Sequence, residues 1–216
     1  MRSKSDRPAL NRQRVVAAAL VIVDRDGVDG LTMRALGRQL GVDPMAAYYH
    51  LPNKEAILSG VVEAVWVELE LPEPSADAWQ SQLRRVALSI NETLARHPNA
   101  LAIMATRPNL STPGFRVVDH ILGILCDAGL PAKEALEFVN AAGEFLLGHA
   151  LAESGGPPDA GDRELLLAIE ESEGRESLPN LEHVLSQVEV SELTMNSILD
   201  AGLDALIGGI EARLDP

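Results

Sequence analysis

Apolar residues along this chain recur at spacings of three and four, the period of helices that bury one face. Behind Asn11, whose short side chain can cap a helix, they fall at Val15, Val16, Ala19, Leu20, Ile22 and Val23, predicting a first helix to about Asp26. Gly27 and the DGVDG segment end it. Thr32 is the next N-cap, opening a helix that turns Ala35, Leu36 and Leu40 inward and stops at Gly41, where a left-handed backbone is usually needed. Asp43 caps a short helix from Pro44 to about His50, with proline at the first position, where its missing N–H costs nothing. Asn53 caps a long helix with apolar residues through Leu69, and the two prolines of LPEPS (71–75) stop it. Further helices are predicted over 76–96, 99–105, 113–128, 132–152 and about 191–214, broken at HPN, RPN, STPG and GLP. Residues 154–162 (SGGPPDAGD) predict a mobile loop, and 163–190 an acidic stretch with one short helix. No persuasive strand or internal repeat is present, so the expected fold class is all-α.

Composition agrees with that pattern. Apolar residues make up 46% of the 216 and aromatics only 3%, which predicts a helical, aliphatic core. The single cysteine, Cys126, excludes an intrachain disulfide and suits a reducing compartment. The start, MRSKSDRPALNRQR, has no apolar signal-peptide core, and charges interrupt every candidate membrane span. A soluble cytoplasmic protein with no membrane partner is expected. No phosphate loop, nucleophile elbow, dinucleotide fingerprint or paired metal-ligand spacing appears, so an enzyme is not expected.

Charge sharpens the picture because it is unevenly spread. The net charge is −14, yet residues 1–55 carry nine Lys/Arg against six acids, a net of +3, and the remainder stands at −17. A polyanion would be drawn to one end and repelled by the rest. Two short helices joined around Gly41, with the small Gly37 four residues earlier, are what a helix-turn-helix requires. The second would present Pro44, Met45, Ala46, Tyr48 and Tyr49, whose apolar tips suit thymine methyls and whose hydroxyls suit phosphates. An ordinary helical hairpin turning on a glycine fits the same spacing.

The stretch from Asn11 to Leu58, with Leu31-Thr32, Leu36-Gly37, Gly41-Val42, Tyr48-Tyr49-His50 and Asn53-Lys54, resembles the N-terminal domain of the TetR family of bacterial repressors. Gly37 stands where that family usually has alanine. The resemblance implies a dimer that binds a double-stranded DNA operator. Thr32 and Arg34 would contact backbone and base edges from the second helix, and Pro44, Met45 and Ala46 would lie in the major groove. Tyr48, His50 and Lys54 would hold phosphates, whereas Tyr49 is expected to pack. Residues 97–153, through Thr106-Arg107-Pro108 and the Phe145/Gly148 spacing, resemble a tetracycline repressor-like C-terminal domain. The implied division is a helix-turn-helix domain over 1–52 and an effector-binding and dimerisation domain over 53–216, with 53–70 as connecting helix and 154–190 as mobile loop and short helix.

In the body, Ala135, Ala142, Gly143 and Gly148 on one helix and Ala201, Gly202, Gly208 and Gly209 on the last would let backbones approach across a two-fold axis as a four-helix bundle. The same residues could instead complete the protomer's own core. Candidate liners of a small-molecule effector pocket are Trp66, Trp79, Ile90, Met104, His120, Phe138, Asn140, Glu144 and His149. The metal-binding histidines of tetracycline repressors map close to Leu69–Glu70 and Ile103–Met104, where no histidine stands. No metal or cofactor is therefore expected, and the effector should be an apolar small molecule of another kind. A repressor that binds DNA constitutively, or answers to a protein partner, is the alternative.

Overall fold

The computed structural model describes residues 9–73, 75–107, 111–155, 179–187 and 194–214. Among these residues there is no strand. The α-helices are α1 (Arg12–Gly30), α2 (Met33–Leu40), α3 (Lys54–Val67), α4 (Trp79–Arg96), α5 (Leu101–Thr106), α6 (Thr112–Asp127), α7 (Ala132–Ser154), α8 (Pro179–Leu185) and α9 (Met195–Leu214). Two 3₁₀ segments, Pro44–Tyr49 and Pro98–Ala100, lie between them. No described helix is long and apolar enough to cross a membrane. The loop expected over 154–162, beyond Gly155, and most of 163–190 lie outside the described residues.

The chain divides into two compact units, one of Met1–Leu71 with Glu92–His120 and the other of Pro72–Asn91 with Ile121–Pro216. In the first, the predicted stripe on α1 is buried throughout, from Val15 and Val16 to Ile22 and Val23. It packs with Leu36 of α2, Ala47, Leu51, and Ile57, Leu58, Val61 and Val65 of α3 to form one aliphatic core. Each fully buried side chain of this size stabilises the fold by roughly 1.5–3 kcal/mol. Gly27 leaves the helical conformation (φ 74°), so α1 breaks where the sequence places the glycine, although a last turn runs on to Gly30.

Helix α3 stops at Val67 rather than Leu69. Glu68 is its C-cap, donating its N–H back to Ala64 and Val65, and its carbonyl accepts from the Arg96 guanidinium at 3.3 Å. A cation at a helix C-terminus is favoured by the dipole. Leu69 is thereby freed from the helix and buried. The second unit is held by Leu83, Val86 and Ile90 of α4, Leu125, Leu130, Ala135 and Leu146, and Leu199, Leu203, Ile207 and Ile210 of α9. Arg84 pairs with Asp200 and Asp204, tying α4 to α9.

Candidate nucleic-acid interface and effector cavity

The reading segment is built by four capping side chains. Asn11 Oδ1 accepts the Arg14 N–H at 2.8 Å, Thr32 Oγ1 that of Ala35 at 3.1 Å, Asp43 Oδ1 that of Met45 at 2.8 Å, and Asn53 Oδ1 that of Ala56 at 2.8 Å. Each satisfies a donor that the helix leaves open, an interaction that typically stabilises by about 1 kcal/mol. Between α2 and the 3₁₀ segment, Gly41 takes the left-handed conformation (φ 69°, ψ 35°), and Val42 donates to the Gly37 carbonyl at 3.0 Å.

The close crossing predicted at Gly37 is real. A Cβ there would sit 2.9 Å from Pro44 Cα and 3.1 Å from the Val42 carbonyl, both backbone atoms. The alanine usual in the family would not fit without shifting Pro44. Glycine here sets the distance between the two helices of the motif.

Pro44–Tyr49 is a 3₁₀ rather than an α-helical segment. Its three-residue repeat puts each residue on one of three edges. Ala47, 1% exposed, fills the inner edge, and Leu51 behind it is buried. Pro44, Ala46 and Tyr48 are half-buried, while Met45 is 59% and Tyr49 90% exposed. The expectation that Tyr49 packs is therefore corrected: Tyr48 is the partly packed ring, and Tyr49 stands out from the surface. The signal available in the sequence was Ala47, a small residue at the one inward position of a three-residue repeat.

His50 is exposed at the C-cap, its N–H donating to Ala47 at 3.0 Å. Lys54 is exposed at the first position of α3, where free N–H groups and the helix dipole also favour an anion. Thr32 and Arg34 are exposed as well, Thr32 with its hydroxyl oxygen engaged in the cap. Among the described residues, Arg34 and Lys54 have no carboxylate within ion-pair distance, while neighbouring cations do. Arg12 forms a two-pronged pair with Glu63 (2.6 and 3.2 Å), whose hydrogen bond raises the Arg12 pKa, and Arg107 pairs with Glu55 at 2.8 Å. The last pair neutralises the acid nearest Lys54 in sequence.

The expected effector residues are spread over both units. Trp66, Met104 and His120 belong to the first. Met104 is buried, and Trp66 is half-buried with its Nε1 shielded from solvent and without a hydrogen-bond partner among the described residues. Trp79, Ile90, Phe138, Asn140, Glu144 and His149 belong to the second. There an apolar cavity of about 30 Å³ is lined by Ile90 and Phe138 together with Leu83, Val86, Leu146 and Leu203, among others. That space holds about one water, far less than a drug-sized site needs. The other four do not line it. His149 is buried against the Phe145 ring, with centroids 6.2 Å apart; Asn140 is exposed and donates to Leu136 of its own helix at 2.8 Å, and Glu144 is exposed.

The small residues of α7 and α9 divide into two sets. Ala135 is fully buried, and a Cβ at Gly202 would run into the Phe145 ring, so Ala135 belongs to the protomer's own core and Gly202 to its α7–α9 contact. At Gly143, Gly148 and Gly208 a Cβ would meet nothing within 4 Å among the described residues. Leu136, Leu151 and Ile198 are exposed on the same two helices. A groove of about 300 Å³ runs between them, lined by Phe138, Ala141, Ala205, Gly209 and Ile210, among others.

Comparison with known proteins places these elements in one family. The family model described as bacterial regulatory proteins, tetR family, matches residues 15–61, and that described as tetracyclin repressor-like, C-terminal domain, matches 71–214. The class D tetracycline repressor protein of Escherichia coli is 30% identical over 208 residues, covering 95% of this chain and 91% of its own. The class A protein from transposon 1721 of Escherichia coli is 37% identical over 157 residues, 71% of this chain and 72% of its own. Among solved structures, apo ActR from Streptomyces coelicolor superposes with a TM-score of 0.84 at 25% identity, covering 96% of this chain and 98% of that one. ActR in complex with actinorhodin gives 0.82 at 26% identity, covering 94% and 96%. With the helix-turn-helix and the helical body both matched, the chain belongs to the TetR family of bacterial transcriptional regulators.

Proposed function

We propose that this regulator is a homodimeric repressor that binds a palindromic operator and releases it when a small-molecule effector binds. The carrying observation is that Met45 and Tyr49 of the 3₁₀ segment are exposed, and that Lys54, exposed at the N-terminus of the next helix, has no ion-pair partner among the described residues. Residues 1–52 are the reading domain and 53–216 the effector-binding and dimerisation domain. Met45, with Pro44 and Ala46, supplies apolar contacts to base edges; Thr32 and Arg34 approach from α2; Tyr48, His50 and Lys54 hold phosphates. Tyr49, by its exposure, joins the phosphate-facing set.

Pairing of α7 and α9 with their copies supports a two-fold assembly. The open Gly143, Gly148 and Gly208 admit a neighbouring helix, and Leu136, Leu151 and Ile198 would be removed from water by it. A dimer places two reading segments on one duplex, which one protomer cannot do. The effector site grows from the apolar cavity around Ile90 and Phe138, so the ligand carries an apolar body and enters as those side chains move apart. The related ActR binds actinorhodin, which supports a small organic effector here. The protein acts by binding, not by catalysis, and works in the cytoplasm.

The effector can act only through its different affinities for the DNA-binding and released states. A 100-fold loss of operator affinity needs about 2.7 kcal/mol of such difference. The test is a thermal-shift screen of small organic molecules, followed by addition of each stabilising compound to the labelled operator complex. Release of DNA supports the proposal. A stabiliser that leaves the complex intact, or no stabiliser from a broad screen while DNA binding persists, favours the constitutive regulator.

A further inference from the structure

The unit that contains the reading segment also holds a buried histidine that DNA contact does not use. His97 is 6% exposed and precedes the 3₁₀ turn Pro98–Ala100. Its Nδ1 lies 3.1 Å from both carboxylate oxygens of Asp24, near the end of α1, and its Nε2 lies 3.1 Å from Glu68 Oε2, at the C-cap of α3. An ionised carboxylate only accepts. A neutral imidazole has one N–H and would turn a lone pair toward the second carboxylate; the imidazolium donates to both.

The surroundings reinforce this arrangement. The Arg96 guanidinium donates to the Glu68 carbonyl and to Thr93 Oγ1, each at 3.3 Å, and the Asn99 amide donates to the Asp24 carbonyl at 2.8 Å. On α1, Arg25 and Asp26 pair with each other, and α5 (LAIMAT) brings no titratable side chain. Among the described residues, the charged groups bonded to the ring or to its partners are thus two carboxylates and one guanidinium.

We infer that His97 is a positioning residue for the reading head: a proton-dependent clasp that ties the ends of α1 and α3 to the turn after α4. Helix α1 backs the helix-turn-helix and α3 begins at Lys54, so the clasp governs how firmly the scaffold of the DNA contact is held. It stands on the geometry of this unit and not on the identity of the DNA or effector. The clasp is complete when both ring nitrogens carry a proton and both carboxylates are ionised, since only then does every contact pair a donor with an acceptor.

The test is the melting temperature of the full-length protein at one protein concentration, for wild type, His97→Gln and Glu68→Gln, with the protonation of the ring read directly. Loss of the charge-assisted bonds should lower the melting temperature by roughly 4 °C in each variant. If His97→Gln does not fold, Glu68→Gln carries the same comparison, since Glu68 is 45% exposed. In ¹⁵N-histidine spectra of the wild type the His97 ring should carry a proton on both nitrogens, and in Glu68→Gln that signature should weaken. Unchanged melting in both variants, or a wild-type His97 ring with one protonated nitrogen, overturns the clasp.

Discussion

The two units are both helical, with aliphatic cores and polar ties across long stretches of chain, yet they differ in what they leave open. The unit with the reading segment is laced by polar ties between distant parts of the chain: Asp24 and Glu68 to His97, Asn99 to the Asp24 carbonyl, Glu55 to Arg107, and Arg12 to Glu63. Its motif also depends on glycine twice, at Gly41 for a left-handed backbone and at Gly37 for the lack of a Cβ where the Pro44 backbone approaches. The other unit has distant ties of its own, Arg84 to Asp200 and Asp204, Gln80 to Glu211 and Arg213 to Glu134, but it also leaves glycines and large apolar residues of α7 and α9 facing outward. Directional bonds fix orientations, whereas aliphatic packing tolerates rearrangement when volume is kept. On the proposed function, the first unit holds a shape against DNA, and the second takes a partner and admits a ligand.

Substitutions can break that contrast, and the largest effect is expected in the body. Gly148→Trp places a bulky side chain where a Cβ would meet nothing within 4 Å among the described residues, so the protomer should fold while the copy is pushed away. Sedimentation should then show a monomer, and operator affinity should fall by about 100-fold or more as the linked second contact is lost. A dimer of unchanged stability would assign the open glycines to some other partner.

Next comes Gly37→Ala, which forces a Cβ against the Pro44 backbone. Overpacking of this kind costs about 1–3 kcal/mol, and the displaced reading segment should weaken operator binding by about tenfold. Urea unfolding and a binding isotherm check the two parts separately; unchanged values in both would mean that α2 and Pro44 separate freely.

Smaller effects separate reading from holding. Lys54→Ala should weaken binding several-fold across all duplexes and make the salt slope shallower by about one unit. Met45→Ala should instead change the ranking among operator variants, by about 1–3 kcal/mol at the contacted base pair. Sequence-selective loss at Lys54, or uniform loss at Met45, would exchange their roles.

The smallest effect concerns Asp26. The Arg25 guanidinium holds its carboxyl below the usual carboxylate range, so the pair adds stability above the titration of the unpaired acid and loses it as pH falls. Because the group is fully exposed, Asp26→Asn should leave the acid limb of the melting profile unchanged within error. A visible shift would show that this end of α1 is more tightly coupled than its exposure suggests.

How much of this was legible in the sequence follows the range of each interaction. The four N-caps, the glycine turn and the α1 stripe act within a few residues, and the sequence pattern located them. Local pattern could not tell a 3₁₀ from an α-helical Pro44–Tyr49, and so it chose the wrong tyrosine to pack. It carried α3 to Leu69 because the Arg96 cation that meets its open end lies 28 residues away. The small residues of α7 and α9 looked alike in sequence; only packing divides Ala135 and Gly202 from Gly143, Gly148 and Gly208. His97 joins groups 73 and 29 residues distant, and no periodicity reports such a meeting.

The most direct test is selection of duplexes from a random pool by the full-length protein, repeated with Gly148→Trp. The account predicts that wild type enriches an inverted repeat, bound with two protomers per duplex, and that the variant enriches nothing comparable. Enrichment of a single unrepeated sequence by both proteins, or of no sequence by wild type at low salt, would contradict it.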